Sequence, residues 1–410
     1  MGAEFGTSYS EFLEVVINPS DKKFEKRYNG RTAPAQVLKA DALLIKRFLD
    51  EATTNGLGAG AAKTSASYLA GISRKFPDLK KMDTVSAGSA FSDIRQNMKP
   101  NSARRAMGIL KQFIRWMNDE KINTKVDLGK LLKIKLPKPD TGTKRASDML
   151  SGKEITKLIE SAGNDRDRAL IAMIFEGSLR PIEAATATWG DLNFDQYGAQ
   201  FTTNKKTGIP RYIRLIMSAP YLLKWKNNYP LPINNDSSIF VSFKTPHQEL
   251  TRGGLYYIFM DILKKSGIKK KISPYYLRHS RITSMSRDQI PDNIIKLQAW
   301  GSQRSNQLAT YSHLVNSDMD AVLLTRAGII TDGEKKDESL KPRQCPHCGK
   351  VHTPTTRFCD DCGQGLIEEA RTQVQQERGA IRAAGAEYVR ADEVTLIVQK
   401  AVEAALAGKK

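Results

Sequence analysis

Arg180 in "SLRPIEAATATWGDL", Lys206 in "NKKTGIPRYIRLI", Arg278 in "SPYYLRHSRITS" and Tyr311 in "NQLATYSHLV" are residues of the types that phosphoryl transfer through a tyrosine requires. A phenol is a weak nucleophile at neutral pH, so covalent chemistry on Tyr311 needs cations and a proton handler beside it. Two guanidiniums can hold the non-bridging oxygens of a phosphodiester by paired hydrogen bonds and stabilise the charge of an in-line transition state. A lysine on a turn can protonate the departing sugar oxygen. Single Arg and Lys residues are more often surface charges in a chain this basic, so their types alone do not bring them together.

A second chemical signal lies in "CPHCGKVHTPTTRFCDDCG". All four cysteines of the chain fall here, as two C-x-x-C-G knuckles ten residues apart. Short turns of this kind can set four thiolates tetrahedrally around zinc, so Cys345, Cys348, Cys359 and Cys362 are the candidate ligands of one structural Zn2+. Four thiolates close the shell and leave no position for a reacting water. His347 and His352 could substitute but are not needed. A redox pair is the competing reading, and the paired knuckles disfavour it.

The 410 residues include 64 Lys+Arg against 44 Asp+Glu, a formal net charge of +20. This length suits about two or three domains, and the surplus of cations favours a polyanionic partner, nucleic acid before membrane. No apolar run is long enough to span a bilayer and no signal peptide opens the chain, so a cytoplasmic protein with no membrane partner is expected.

Several elements must position these groups. Residues 35–132 read as four or five helices. The clearest is "SARRAMGILKQFIRWMN", where Ala103, Ala106, Met107, Leu110, Phe113, Ile114 and Met117 recur at helical spacing while Arg104, Lys111 and Arg115 gather on the opposite side. That cationic face is a candidate DNA contact, although such faces are usually only solvated. "KIKLPKPDTGTKR", with two prolines and five basic residues, reads as an extended basic linker over 133–147. A second domain starts at Ser151, where Ser151 and Glu154 form a capping box, and continues through helical "DRDRALIAMIFEG". Pro181 and Glu183 suit the first turn of a further helix, with Arg180 at its mouth. "AQFTTNKKTGIPRYIRLI" alternates on both sides of Thr207-Gly208 as a hairpin does, with Lys205 and Lys206 at its tip. Beyond the cysteines, "VTLIVQKAVEAAL" carries one apolar helical face, Val394, Ile397, Val398, Ala401, Val402 and Ala405, fit to pack on the body or on another subunit.

In order and separation, the segments around Arg180, the lysine hairpin, Arg278 and Tyr311 resemble the catalytic domain of the tyrosine recombinase, or phage integrase, family. The resemblance covers roughly residues 35–330, strongly in the second domain and by helical pattern in the first. Arg180 in "LRPIE" matches the family's first arginine, with Glu183 at the acidic position after it. Lys206 matches the hairpin lysine, with Lys205 as competitor. Arg278 matches the second arginine, and Tyr311, ten residues after Gly301, matches the nucleophile. Two positions depart. Tyr275 stands where the family usually has His or Lys, a variant that looks like archaeal integrases; a phenol there can donate to a phosphate oxygen but cannot become a cation at neutral pH. Ser302 stands where the family usually has His or Trp, and nearby Arg304 could compensate. His279 and His313 read as structural.

The resemblance implies a mainly α protein with a small β-sheet, α+β overall. Its parts would be an N-terminal extension (1–34), a helical core-binding (SAM-like) DNA clamp (35–132), the linker (133–147) and a catalytic domain (148–332), followed by the zinc ribbon (340–366) and a helical tail (367–410). It further implies a site-specific recombinase of a mobile element, archaeal in type. Such an enzyme cleaves and rejoins double-stranded DNA at attachment sites through a 3′-phosphotyrosyl intermediate, as a homo-oligomer, normally four protomers, with no nucleotide and no catalytic metal. The alternatives are a catalytically weak or inactive DNA-binding protein of the same fold, and a topoisomerase-like nicking and closing enzyme.

Overall fold

The computed structural model describes residues 37–140, 146–203, 209–308 and 338–383, with isolated positions 324 and 327. Lys205, Lys206, Tyr311, His313 and the apolar face at 394–405 lie outside the described residues. The chain divides into two compact units, Met1–Arg145 and Ala146–Lys410.

In the first unit the described residues form five helices: α1 (Lys39–Thr54), α2 (Ala59–Lys75), α3 (Thr84–Asn97), α4 (Pro100–Asp119) and α5 (Leu128–Lys133). Pro100 opens α4 at a position where its missing N–H costs nothing. All seven apolar positions expected to pack on this helix are buried, and Trp116 joins them. The Trp116 indole donates to Glu51 at 2.7 Å and its ring stacks with Phe113. Truncating a buried residue such as Phe113 to Ala should cost about 3–5 kcal/mol. The buried Asp41 accepts from the Ser73 hydroxyl and from the N–H groups of Asp78 and Leu79, which ties α1 to the turn after α2.

The basic segment after α5 is extended, as expected of a linker, but its apolar residues also pack against the first unit. Residues 134–140 run back along α4, held by side chains of α3 and α4 that donate to its carbonyls: Arg104 to Pro137 at 2.9 Å, Lys111 to Ile134 at 2.6 Å, and Arg95 to Lys135. Asn101 and Asp140 exchange a further pair of bonds. Ile134 and Leu136 pack against the helical core, because alternate residues of an extended chain face the same way. The two prolines stop a helix, as expected, but the apolar residues between the lysines bind the strap to the first unit.

The second unit is built around α7 (Asp165–Glu176), a helix buried along nearly its whole length, with α6 (Gly152–Ser161), α9 (Ala219–Asn227) and α11 (Tyr275–Arg287) against it. The Ser151–Glu154 capping box is formed at the start of α6. The short α8 (Pro181–Ala185), α10 (Arg252–Ser266) and α12 (Asp292–Trp300) complete the helical body. The hairpin strands are β2 (Gly198–Thr202) and β3 (Tyr212–Leu215), antiparallel with Phe201 opposite Ile213. A third strand that the alternation did not announce, β1 (Leu192–Asp195), pairs with β2, giving the order β1-β2-β3. The Glu176 carboxylate accepts the N–H groups of Ile216, Met217 and Ser218, each at 2.8 Å, and so fixes the end of β3 to the end of α7.

The cysteine segment forms a small antiparallel ladder, β4 (Arg343–Gln344) with β5 (Val351–His352), followed by α13 (Glu368–Ala383). It belongs to the second unit, and the residues leading into it are fixed to the main body: Leu340 packs against the main core and the Thr156 hydroxyl donates to the Ser339 carbonyl at 3.2 Å. Among the described residues, no helix is long and apolar enough to cross a membrane.

Candidate active site

Arg180 is the N-cap of α8, and Pro181 sets the first helical turn after it. Glu183, one turn on, reaches back to accept both the Arg180 backbone N–H and its guanidinium, each at 2.7 Å. The same carboxylate is gripped by Arg211, which donates through both terminal nitrogens at 2.9 and 2.7 Å. The Arg211 and Glu183 side chains are only 1% and 2% exposed, whereas that of Arg180 is 29% exposed. Burial alone would raise the Glu183 pKa, but the hydrogen bonds and charge of Arg211, with help from Arg180, hold it below the ordinary value. Glu183 is therefore an anion at neutral pH, and Arg180 is steadied by it while its outer side remains accessible to solvent.

Arg278 lies on the buried face of α11 and donates to the Ser178 carbonyl, two residues before Arg180, and to the Ala299 carbonyl at 2.6 Å. Its guanidinium also sits 5.5 Å from the centre of the Trp300 ring. Arg278 thus reaches from α11 to the backbone turn from which Arg180 issues. Ser178, at the heart of that turn, has φ of 46°, in the left-handed region that a non-glycine residue seldom occupies.

The end of α12 closes the arrangement. Gly301 caps the helix with φ of 71°, and a Cβ there would stand 3.1 Å from Arg211 Cγ and 3.1 Å from Ile209 Cγ2. Glycine therefore lets the chain leading toward residue 311 run close to the strand leading out of the lysine hairpin. A circuit results: Arg180 to Glu183, Glu183 to Arg211, Arg211 against Gly301, and the neighbouring Ala299 carbonyl to Arg278, which returns to Ser178. Lys206 and Tyr311 themselves are not described, but the backbone just beyond the hairpin tip and that approaching Tyr311 both lie in this circuit.

Tyr275 opens α11 one turn before Arg278 and is 36% exposed. His279 is buried between Tyr275 and Tyr276, with ring centroids 6.2 and 5.9 Å away. The Ser302 hydroxyl accepts the Arg304 N–H at 3.3 Å, and the Arg304 side chain is exposed. Of the expected DNA contacts on α4, Arg115 is exposed, while Arg104 and Lys111 already hold the strap. The Lys111 pKa is lowered, first by burial and then by the charge of Arg115.

Arg211 escaped the reading of the sequence. The signal was there: in "PRYIRL" it shares the alternation of Ile213 and Leu215, both buried, so a cation stood at an inward position and needed a buried anion.

In the cysteine segment the four Sγ atoms lie within 4.8 Å of one another. Cys345 is 3.5 Å from Cys362, Cys348 is 3.5 Å from Cys359, and Cys348 is 3.8 Å from Cys362. These separations are far beyond a disulfide and close to the ~3.8 Å edge of a tetrahedron with bonds of ~2.3 Å. Burial raises the Cys345 thiol, yet backbone N–H groups of Cys348 and His347 and the adjacent thiols bring it down to about 6. The Gln364 N–H lowers Cys362, but desolvation and the three other thiols push it up to about 12. His352 is buried, its Nδ1 lies 3.3 Å from Asp360, and its Nε2 has no hydrogen-bond partner among the described residues.

Comparison with known proteins agrees with this layout. Residues 148–317 match the model of the Phage integrase family. The chain is 24% identical over 295 residues to the tyrosine recombinase XerD of Neisseria meningitidis serogroup B, covering 69% of this chain and 94% of that protein. It is 27% identical over 221 residues to XerD of Listeria innocua, covering 51% and 70% respectively. Among solved structures, a lambda integrase (75–356) dimer bound to a COC′ core site aligns with a TM-score of 0.53 at 17% identity, covering 72% of this chain and 97% of that one. XerH bound to palindromic difH, a post-cleavage complex, gives 0.53 at 17% identity, covering 79% and 98%. The fold is that of the tyrosine recombinases, mainly helical with small sheets. Within the second unit, residues 148–317 are thus similar to the phage integrase, or tyrosine recombinase, family.

Proposed function

We propose that this chain is a site-specific DNA recombinase that cleaves and rejoins DNA through a 3′-phosphotyrosyl intermediate, integrating or excising a mobile element. The observation that carries the reading is the closed circuit through Arg180, Glu183, Arg211, Gly301 and Arg278. It fixes two guanidiniums at one turn and brings together the approaches to the hairpin lysine and to Tyr311. In this reading Tyr311 attacks the phosphodiester, Arg180 and Arg278 stabilise the transition state, and Lys206, or Lys205 beside it, protonates the departing 5′-oxygen. Tyr275 adds a hydrogen bond to a phosphate oxygen, and Ser302 contributes a hydroxyl from the end of α12. Exposed cations of the first unit, Arg115 foremost, contact the DNA backbone. Lambda integrase is known as a tetramer bound to a Holliday junction, which supports a homo-oligomer acting on two duplexes. Acting on DNA, the enzyme works in the cytoplasm, and Tyr275 is the feature behind an archaeal-type assignment. Incubation with a nicked suicide substrate carrying the attachment sequence tests the central claim. A protein–DNA adduct that survives denaturation and is linked at the 3′ end is expected. Its absence from the parent protein favours the non-catalytic DNA-binding reading, which the substitutions at Tyr275 and Ser302 otherwise leave as the main competitor.

The four clustered cysteines further support a structural zinc site, because the sulfur separations fit one tetrahedral ion and no disulfide. Metal analysis of purified protein should return one zinc per chain. A preparation folded over residues 340–365 and free of metal would exclude it.

A further inference from the structure

The proposed chemistry leaves one charge problem unsolved. Arg180 has to present positive charge to a phosphate, yet it is hydrogen-bonded to Glu183, a carboxylate sheltered from water. A lone Arg–Glu pair carries no net charge, so it attracts an anion much less than an unpaired guanidinium does. Arg211 changes the count. It takes the same carboxylate through two nitrogens and is itself sealed from solvent, so it can attract no ligand of its own. Two guanidiniums on one carboxylate leave a net +1, and only Arg180 is accessible to express it.

We infer that Arg211 is a positioning residue for Arg180: by satisfying Glu183 from the buried side it orients the first arginine and leaves that arginine's charge available to the scissile phosphate. This rests on the recombinase reading above. The backbone supports the same role. The Arg211 N–H donates to the Thr203 hydroxyl and its carbonyl accepts the Thr203 N–H, both at 3.0 Å, so the two arms of the hairpin are clasped at the residue that holds Glu183. The packing of Arg211 Cγ against Gly301 adds the end of α12 to the same point. Hairpin, first arginine and the approach to Tyr311 therefore share one anchor.

The test is single-turnover adduct formation on the suicide substrate, measured beside equilibrium affinity for a plain duplex and thermal stability. Arg211→Met should slow adduct formation roughly a hundredfold, the scale of a lost transition-state donor. Duplex affinity should change by less than about threefold, since backbone contacts elsewhere dominate it. Arg211→Lys keeps the charge and one of the two bonds, and should stay within about tenfold of the parent. The informative variant is Glu183→Gln with Arg211→Met. It removes the carboxylate together with its partner, returns the net charge to +1, and should recover at least about tenfold over Arg211→Met alone. If Arg211→Met does not fold, Arg211→Lys and the double variant carry the comparison, because neither leaves a buried carboxylate without a cation opposite. A folded double variant no faster than Arg211→Met, an Arg211→Met that cleaves like the parent, or rates that merely follow thermal stability would overturn the inference. A parent protein that forms no adduct overturns the recombinase reading and this inference with it.

Discussion

The cations of α4 and those around α8 and α11 come from equally basic stretches of sequence, yet the structure treats them in opposite ways. Arg211 and Arg278 are buried, with fixed acceptors in Glu183 and in the carbonyls of Ser178 and Ala299. Arg104 and Arg115 are exposed, and Arg104 donates to a carbonyl of the neighbouring strap. The physical difference is the solvent. An exposed cation is screened over about 10 Å at moderate salt and can exchange one partner for another at little cost. A buried one must be paired, and a pair formed in low dielectric keeps its geometry. The first arrangement suits contact with a phosphate backbone at many registers. The second suits holding a neighbouring group, as Arg211 through Glu183 holds Arg180, in one orientation toward one phosphate.

The contrast is broken most severely at the nucleophile. Tyr311→Phe should abolish the covalent adduct while leaving duplex affinity nearly unchanged, because affinity comes from cations along the backbone. Arg278→Ala should retain a trace of activity, with a loss of roughly a hundredfold or more, and should also weaken folding, since its acceptors lose their donor. An adduct formed by Tyr311→Phe would assign the chemistry to another tyrosine.

Metal removal should act on a third region and spare both of these. Cys345→Ser, or a strong chelator, should abolish amide-exchange protection over residues 343–365 while α7 keeps its own. Equal loss in both would mean that the ribbon is a supporting part of the second unit rather than an appendage.

Acid separates the two kinds of cation by stability. The folded pKa of Glu183 is depressed from its ordinary value of 4.5. Its contribution is therefore fully present above the unfolded value and is lost as pH falls through the folded one. The melting temperature should drop as pH is lowered below about 4.5, and the drop should be shallower in the Glu183→Gln, Arg211→Met double variant. Arg115→Ala should leave the melting curve alone.

The smallest effect is expected on α4, and it sharpens the comparison. Arg115→Ala should reduce the slope of log affinity against log salt by about 1. Lys111→Met should reduce it by less, because the Lys111 ammonium is already engaged by the Ile134 carbonyl at 2.6 Å. Equal slopes for the two variants would mean that DNA displaces the strap.

Much of this was legible in the sequence for local reasons. The apolar face of α4, the Ser151–Glu154 capping box, Pro181 at the start of α8 and the hairpin strands all follow from periodicity and end chemistry that act within a few residues. The order of arginine, lysine, arginine and tyrosine, and the spacing of two C-x-x-C-G knuckles, are likewise written in one dimension. Partners far apart in the chain were not. Arg211 meets Glu183 across 28 positions and Arg278 meets Ser178 across 100, and no period carries that pairing. The packing of the extended strap went unseen because its lysines and prolines outweigh Ile134 and Leu136 in composition, while burial depends on whether those two face the helical core. Strand β1 was missed for a related reason: four residues alternate too briefly to be seen, and only the edge of β2 selects them. Sequence by itself determined which residues could do chemistry and which faces could pack. The tertiary structure alone decided which charges are buried together, because that depends on desolvation, and desolvation exists only once distant segments have closed around a site.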